Sequence, residues 1–274
     1  MDDFTISIYC FIDDYLKSTD TSWQNPKKKT ADAEVLTTAL LAARYFAGNM
    51  VSARSYMSNH HGCIFPNKSN FHRQLQRLVS KLNTLFFLLS NTLKDANSSQ
   101  EYIIDSFPVS VCKNIRIQRC KLLQHTDYRG YNHSKREYFY GFKITLVTTA
   151  SGLPIQYYIA AGAIHDQTAF RAMNLDLSNG SLLYADSAYT EYQIEDWLLQ
   201  LEGIKLLAER KSNAKRKDSP ALAFLKKVRR KSIETTFSGI NNLFPKKIHA
   251  VSIEGFLLKV FLFIFAFTLD KLFN

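Results

Sequence analysis

The sequence predicts an α/β protein in which a mixed sheet flanked by helices follows a small all-α domain. Apolar residues recur with helical spacing up to about residue 95, and short β-rich runs that alternate with helices begin at Glu101. Three strands linked by short turns come first, and alternating strands and helices follow, as expected for a mixed sheet covered by helices. The predicted division is 1–95 for the helical domain and 101–274 for the α/β domain, with a polar linker between them.

The N-terminal part is predicted to consist of helices joined by polar loops. A first helix covers Phe4–Lys17, where apolar residues form a broad face. A second helix begins at Thr30, a suitable N-cap, and ends near Gly48, after which a shorter element runs through Met57. A long helix over about 70–93 completes this domain.

The start of the long helix is a candidate DNA-reading surface. Arg73 and Arg77 lie there among other hydrogen-bonding side chains and apolar anchors. A helix that enters the major groove needs such a mixture. A solvated face of an ordinary helical bundle explains the same pattern equally well, so both interpretations stay open.

In the α/β part, runs of β-branched and aromatic residues indicate the strands, and turn residues and helix caps indicate where elements begin and end. In chain order we expect a strand ending at Asp105, strands over Tyr140–Val147 and Ile155–Ala160, a helix over His165–Leu175, a strand ending at Asp186, a helix over Glu191–Leu201, a strand over Ile204–Leu207, and a helix starting at Ser219–Pro220. The strand that leads to Asp186 is expected to lie parallel beside the first strand, which would bring Asp105 and Asp186 to the same end of the sheet.

Three carboxylates are the candidate catalytic residues. Asp105 and Asp186 each follow a run of apolar residues, and a carboxylate at the end of a buried strand must be paired or bound to metal. Glu234 lies on a helix whose apolar residues at i, i+4, i+7 and i+11 would pack on the sheet. Arg230, four residues earlier, lies on the same helical face as Glu234, and a surface ion pair between the two is the alternative interpretation.

A set of carboxylates without His or Cys suits hard divalent cations, and Asp105, Asp186 and Glu234 are the predicted metal ligands for Mg²⁺ or Mn²⁺. Two such ions about 3.5–4 Å apart can activate an attacking water or hydroxyl and stabilise the leaving oxygen of a phosphodiester. Grouped carboxylates repel one another without metal, so metal binding is expected to stabilise the fold.

The charge distribution indicates an anionic polymer as partner. With 35 Lys and Arg against 24 Asp and Glu, the formal net charge is +11. The excess lies in 113–143 and 205–234, which flank an acidic stretch over 144–204. Such basic segments suit the phosphates of double-stranded DNA, although ordinary solvated surface is the alternative.

Several basic residues in these segments are candidate DNA contacts. Residues 128–140 interleave aromatic and basic side chains, which is typical of a loop that grips a nucleic-acid strand but also of an exposed hairpin. Lys143, on the strand predicted to lie beside Asp105, would face the scissile phosphate or, on the opposite face, solvent. The candidates outside the long helix are Arg129, Lys135, Arg136, Lys143, Lys227 and Arg230.

The remaining signals concern the compartment. The four cysteines show no short paired spacing, which favours free thiols in a reducing environment. The acidic N-terminus does not resemble a signal peptide. The apolar run over 256–269 is short for a bilayer span and Lys259 interrupts it, so a core helix is expected. A cytoplasmic protein is the prediction.

The residues together resemble a known family. The order Asp105, Asp186, Glu234, the strand at Tyr140–Lys143, the His165-Asp166 step before a helix and the sequence around Ile233-Glu234-Thr235 are similar to bacterial insertion-sequence transposases of the DDE class. The resemblance implies an RNase H-like catalytic domain preceded by an end-binding domain. It also implies two Mg²⁺ or Mn²⁺ ions, DNA cleavage followed by strand transfer, a homodimer on DNA, and a nucleoid location. Asp166 is expected to cap the helix that follows it.

The sequence departs from one signature of related transposases. Arg230 and Glu234 match it, but Lys227 stands where those relatives carry Tyr, and Asn241 stands where they carry Lys. Lys227 is still expected to contact a phosphate. The predicted function is an insertion-sequence transposase, with two alternatives: an RNase H-like nuclease or resolvase without strand transfer, and an inactive transposase-derived DNA-binding protein.

Overall fold

The computed structural model describes residues 2–19, 30–113, 117–118, 120, 122–123, 125–132 and 136–273. The helices are α1 (Asp2–Thr19), α2 (Asp32–Tyr45), α3 (Met50–His61), α4 (Lys68–Arg77), α5 (Val79–Asp95), α6 (Asp166–Ala172), α7 (Tyr192–Trp197), α8 (Pro220–Leu243) and α9 (Ile253–Phe273). The strands are β1 (Glu101–Lys113), β2 (Arg129–Asn132), β3 (Glu137–Thr149), β4 (Pro154–Ala161), β5 (Leu182–Ala185) and β6 (Lys205–Ala208).

Two compact units account for these elements. One comprises Met1–Leu88 together with Gly239–Asn274, and the other comprises Leu89–Ser238. The sequence-based division placed all of 101–274 in one domain, whereas the structure groups the C-terminal segment with the N-terminal helices. The assignment of DNA-end binding to the helical part stays a prediction.

The C-terminal helix explains this grouping. Every residue of α9 from Val260 to Leu269 is buried, so the helix needs apolar neighbours on all sides. It packs against α1 and α2, and Asp270 Oδ1 lies 2.6 Å from Arg44 Nε. α9 is therefore a core helix, as predicted. Across the described ranges, no helix has the length and apolarity required to cross a membrane.

The predicted long helix is divided in two. α4 ends at Arg77 and α5 begins at Val79, because Leu78 leaves the α-helical hydrogen-bonding pattern. Its N–H donates to Leu75 O at 3.0 Å, three residues back, and its ψ of −3° tightens the chain there. Arg73 and Arg77 thus belong to a short helix of their own.

The second unit contains a mixed sheet with strand order β2-β3-β1-β5-β6, in which β4 also pairs with β3. β1 is antiparallel to β3 and parallel to β5, which confirms the predicted neighbour of the first strand. Helices flank both faces. One face packs with residues of α6 and α7, and the other packs with α8 through Ile233.

Some element boundaries differ from the sequence prediction. β1 continues past Asp105 to Lys113, because β3 pairs with it over nearly its whole length and accommodates Pro108 opposite Lys143. β2 lies within residues 128–140, the basic and aromatic segment that was expected to be a loop or an exposed hairpin, and it pairs with β3. α6 and α7 are shorter than predicted, and α7 continues into a π-helical turn over Leu198–Glu202.

Candidate active site

Asp105 and Asp186 occupy equivalent positions on two neighbouring parallel strands. The register of β1 and β5 pairs Glu101 with Leu182 and ends with Ile104 opposite Ala185. The next residue of each chain segment is one of the two aspartates, so both carboxylates lie where the β1–β5 pairing ends, although β1 itself continues to Lys113. This placement is the one that the sequence predicted.

Backbone groups orient both carboxylates. Asp105 Oδ1 accepts a hydrogen bond from the N–H of Ser106 at 2.7 Å. Asp186 Oδ1 accepts from the N–H of Ala188 at 2.8 Å and so caps the 3₁₀ turn Ser187–Tyr189. A hydrogen bond from the backbone restricts the orientation of each carboxylate.

A third carboxylate, Glu209, lies on the same face of the sheet. Ile103, Tyr184 and Leu207 form one buried cluster beneath α8. Side chains alternate along extended backbone, so the residues two positions farther along, within β1 and directly after β5 and β6, point to that same face. These residues are Asp105, Asp186 and Glu209, and the N–H of Glu209 continues the strand pairing by donating to Ala185 O at 3.0 Å.

Arg230 of α8 neutralises part of this negative charge. Its Nη2 lies 3.4 Å from Asp105 Oδ2, and its Nη1 lies 3.1 Å from Glu209 Oε1. The side chains of Arg230 and Asp105 are only 19% and 18% exposed. The predicted alternative of an ion pair between Arg230 and Glu234 is therefore wrong, because the guanidinium points to the sheet instead.

The protonation equilibria reflect this environment. Burial raises the pKa of Asp105 to about 6, and the negative charge of Asp186 adds to the rise, while the Ser106 N–H and Arg230 act in the opposite direction. Burial also raises the pKa of Asp186, where the charges of Asp166 and Glu209 contribute. Half-buried acids that repel one another favour a bound cation.

Glu234 lies on the part of α8 that crosses β1 near Asp105. Arg230, one turn before it, reaches Asp105, and Phe237, three residues after it, packs on Phe107 with ring centroids 4.7 Å apart. The side chain of Glu234 itself is exposed. Arg230 and Phe237, which precede and follow Glu234 on α8, thus contact β1 at Asp105 and at Phe107.

Asp166 lies beside the site on the opposite face of β1. Its Oδ1 accepts from the Ser106 hydroxyl at 2.6 Å and lies 3.2 Å from Lys143 Nζ. The expected capping role of Asp166 is wrong: His165 occupies the N-cap position of α6, and Asp166 is the first helical residue. Its carboxylate connects β1, β3 and α6.

Comparison with known proteins identifies the family. A family model described as a transposase DDE domain matches residues 94–249, which is more than half of the chain. The chain belongs to the DDE transposases. The family consists of enzymes that cut and join DNA. A search of curated proteins finds no match.

A solved structure supports the fold of this transposase. The chain is similar to a piggyBac transposase in a cryo-EM structure of its synaptic complex with hairpin DNA, with a TM-score of 0.51 and 10% sequence identity. The similarity covers 97% of this chain and 72% of that one. The mixed sheet flanked by helices therefore has the RNase H-like transposase fold that was predicted.

The carboxylates of the transposase fit a divalent metal ion in their chemistry. DDE transposases generally use divalent ions, and Asp105 and Asp186 supply the oxygen ligands that Mg²⁺ and Mn²⁺ prefer. Within the described ranges, no three His, Cys, Asp or Glu side chains are grouped closely enough to hold a metal ion. Asp105 and Asp186 lie at the end of the β1–β5 pairing, and the side chain of Glu234 is exposed on α8.

The basic residues predicted to contact DNA are distributed over both units. Those that the structure places on the exposed surface are Arg73, Arg77, Arg129, Arg136 and Lys227. Lys135 lies outside the described residues. Lys143 is opposite Pro108 in the sheet, which puts its side chain on the face away from Asp105, where Nζ donates to Ile164 O at 3.1 Å.

The sequence prediction missed Glu209. Its signal was present, because a carboxylate follows the β-rich run at Ile204–Leu207 just as one follows each of the two earlier runs. The prediction ended that strand at Leu207 and did not extend the alternation by two residues. Only the sheet order shows that β6 lies next to β5 and brings Glu209 to the same edge.

Proposed function

We propose that this DDE transposase belongs to a bacterial insertion sequence, cleaves DNA at the ends of that element, and joins the freed 3′ ends to target DNA. Asp105, Asp186 and Glu234 are its catalytic residues and hold two Mg²⁺ or Mn²⁺ ions. The observation that carries the proposal is the matched position of the two aspartates on parallel strands, beneath the helix that bears Glu234.

The two aspartates supply the fixed ligands. Each accepts a hydrogen bond from a neighbouring backbone N–H through one oxygen, and their side chains are largely removed from water. A bound pair of divalent ions would activate the attacking oxygen and stabilise the leaving one. In this proposal Asp105 and Asp186 would hold both ions, and the backbone hydrogen bonds would keep the two carboxylates in place.

Glu234 supplies the adjustable ligand. Its long side chain is exposed, whereas Ile233 beside it is buried against the sheet and fixes the helix. A rotation of the side chain would bring its carboxylate toward Asp105 without moving α8. We therefore infer that Glu234 joins the metal shell when ions and DNA bind.

The exposed cations are proposed to hold the DNA backbone. Arg129, Arg136 and Lys227 lie in the basic segments that flank the acidic stretch. Binding through phosphates releases counterions, so affinity should fall steeply with salt. A plot of the logarithm of the binding constant against the logarithm of the salt concentration should have a slope of about −0.9 per phosphate contact. Arg73 and Arg77 on α4 are proposed to read base edges at the element end.

The reaction balances without a further reactant. In cleavage, water forms a new bond to phosphorus, the bond from phosphorus to the 3′ oxygen breaks, and a proton ends on that 3′ oxygen. In strand transfer, this 3′ hydroxyl attacks a target phosphodiester, so one P–O bond forms and one breaks. Two element ends must react together, and we propose a homodimer on DNA, acting at the nucleoid in the cytoplasm.

The decisive experiment uses linear DNA that carries the element's own ends. Wild type, Asp186→Asn and the control Asp176→Asn are incubated with Mg²⁺ or Mn²⁺, and cleaved and joined products are separated on gels. Asp176 is a suitable control because its carboxylate pairs with Lys94 away from the sheet edge. Cleavage and joining by the wild type and the control, and loss of both in Asp186→Asn with DNA binding retained, are the expected results.

Two outcomes would favour the alternatives. Metal-dependent nicking without joined products would indicate a nuclease or resolvase. Tight DNA binding without cutting by the wild type would indicate a binding protein derived from a transposase. Because fluorescence anisotropy measures DNA binding independently of cleavage, the two outcomes are distinguishable.

A further inference from the structure

Glu209 has no place in the proposed catalytic triad, yet it lies at the same edge of the sheet as Asp105 and Asp186. The strand alternation directs it to the face covered by α8. Its contact there is with Arg230, whose other terminal nitrogen approaches Asp105. One guanidinium is thus shared between a proposed metal ligand and a carboxylate outside the triad.

The shared guanidinium is held loosely. Its two contacts measure 3.4 Å and 3.1 Å, longer than about 2.7–2.9 Å for a strong charge-assisted hydrogen bond. In the same unit, Arg210 binds Glu195 through two bonds of 2.6 Å each. Within the described ranges the Nε atoms of both arginines are buried without an acceptor, so the two differ in the lengths of these terminal contacts. Arg230 is therefore free to shift between its two partners, whereas Arg210 is fixed.

A cation that binds Asp105 competes with Arg230 for the same carboxylate. Two positive groups near one acid repel each other, so the guanidinium has to move away from Asp105. A mostly buried guanidinium without a partner is costly. Glu209 offers Arg230 a second carboxylate, so the guanidinium can leave Asp105 and still remain paired.

We propose that Glu209 is a positioning residue that retains Arg230 when a divalent cation takes over Asp105, and that it strengthens metal binding in this way. The inference rests on the proposed metal-dependent function. It adds a residue outside the triad and a defined movement of Arg230, and it gives Glu209 no direct contact with the metal or the DNA.

The test is a double-mutant cycle read by metal affinity. Mn²⁺ binding is measured by isothermal titration calorimetry, without DNA and at about pH 8, in wild type, Glu209→Gln, Arg230→Gln and the double variant. Glu191→Gln is the matched control, because Glu191 also pairs with an arginine, but that arginine, Arg171, lies on α6 and not on α8. Circular dichroism verifies that each variant is folded.

The expected result depends on the presence of Arg230. Glu209→Gln should weaken Mn²⁺ binding about tenfold, the worth of one hydrogen bond to a charged group, whereas the control should leave it unchanged. In the Arg230→Gln background the same change should have less than about a twofold effect, since no guanidinium remains to be retained. If Glu209→Gln does not fold, Glu209→Asp replaces it in the cycle, with a smaller loss expected.

Three results would overturn the inference. An unchanged affinity in Glu209→Gln would show that Glu209 does not support metal binding. An equal loss in both backgrounds would show that it acts through its own charge or as a ligand. A wild type that binds no Mn²⁺ would remove the proposed metal site as well, so failure of the function is distinguishable from failure of the inference.

Discussion

Replacing Asp105 with Asn should stabilise the metal-free protein at neutral pH, although it should abolish catalysis. Burial raises the pKa of this carboxyl from 3.8 to about 6. The folded state therefore holds its proton more tightly than the unfolded state does. Protonated Asp105 therefore contributes a stabilisation that is complete below the pKa of this carboxyl in the unfolded state and is lost as the pH rises through its folded-state pKa of about 6. Above that pH the ionised group makes folding less favourable.

The magnitude follows from the pKa of about 6. A rise of this size means that the ionised Asp105 lowers the free energy of unfolding by about 3 kcal/mol at neutral pH. Asn removes this cost, and the pKa of about 6 already includes the opposing effect of Arg230, whose contact is long at 3.4 Å. Glu209 remains as a partner for the guanidinium. The expected gain in the free energy of unfolding is therefore about 3 kcal/mol, or several degrees in the melting temperature.

The assay is differential scanning calorimetry in EDTA at about pH 7.5 and pH 4.5, with Asp176→Asn as the control. At pH 4.5 the carboxyl of Asp105 is mostly protonated in the folded state but still mostly ionised in the unfolded state, so the advantage of Asp105→Asn should fall to roughly a third. Adding Mg²⁺ should raise the melting temperature of the wild type and leave that of the variant unchanged. The prediction would be refuted if Asp105→Asn melted at a lower temperature than the wild type in EDTA at pH 7.5. It would also be refuted if the difference in melting temperature between variant and wild type were the same at both pH values.

Two further predictions concern buried groups away from the site. Lys226 is 2% exposed, and its Nζ lies 2.7 Å from Asp218 Oδ1. Lys226→Met should lower the free energy of unfolding by about 3–5 kcal/mol, because Asp218 loses its counter-charge. Adding Asp218→Asn should recover part of this loss in urea denaturation; equal stability of wild type and Lys226→Met would contradict the prediction. Burial raises the pKa of the Cys63 thiol to about 12, so a thiol reagent at about pH 8 should label exposed Cys10 and should reach Cys63 only after denaturation. Labelling of both cysteines at one rate in the native protein would show that Cys63 is accessible.

The sequence by itself determined the elements that carry the aspartates. The short apolar runs before Asp105 and Asp186 favour buried strands, and the order of these strands predicted that the two aspartates lie side by side. The apolar stripe that includes Ile233 and Phe237 likewise predicted which side of α8 faces the sheet. These inferences succeeded because residues that are buried on one face of a helix or strand recur with a regular spacing in the sequence.

Tertiary structure decided which charged groups meet. Arg230 and Glu234 are neighbours on one helix, but Arg230 pairs with Asp105 and Glu209, which are distant in sequence. Lys143 belongs to the strand beside Asp105, yet the register of β3 directs it to the other face. A long charged side chain takes whichever partner the packing brings within reach, and strand order and register set that partner without leaving a local pattern in the sequence.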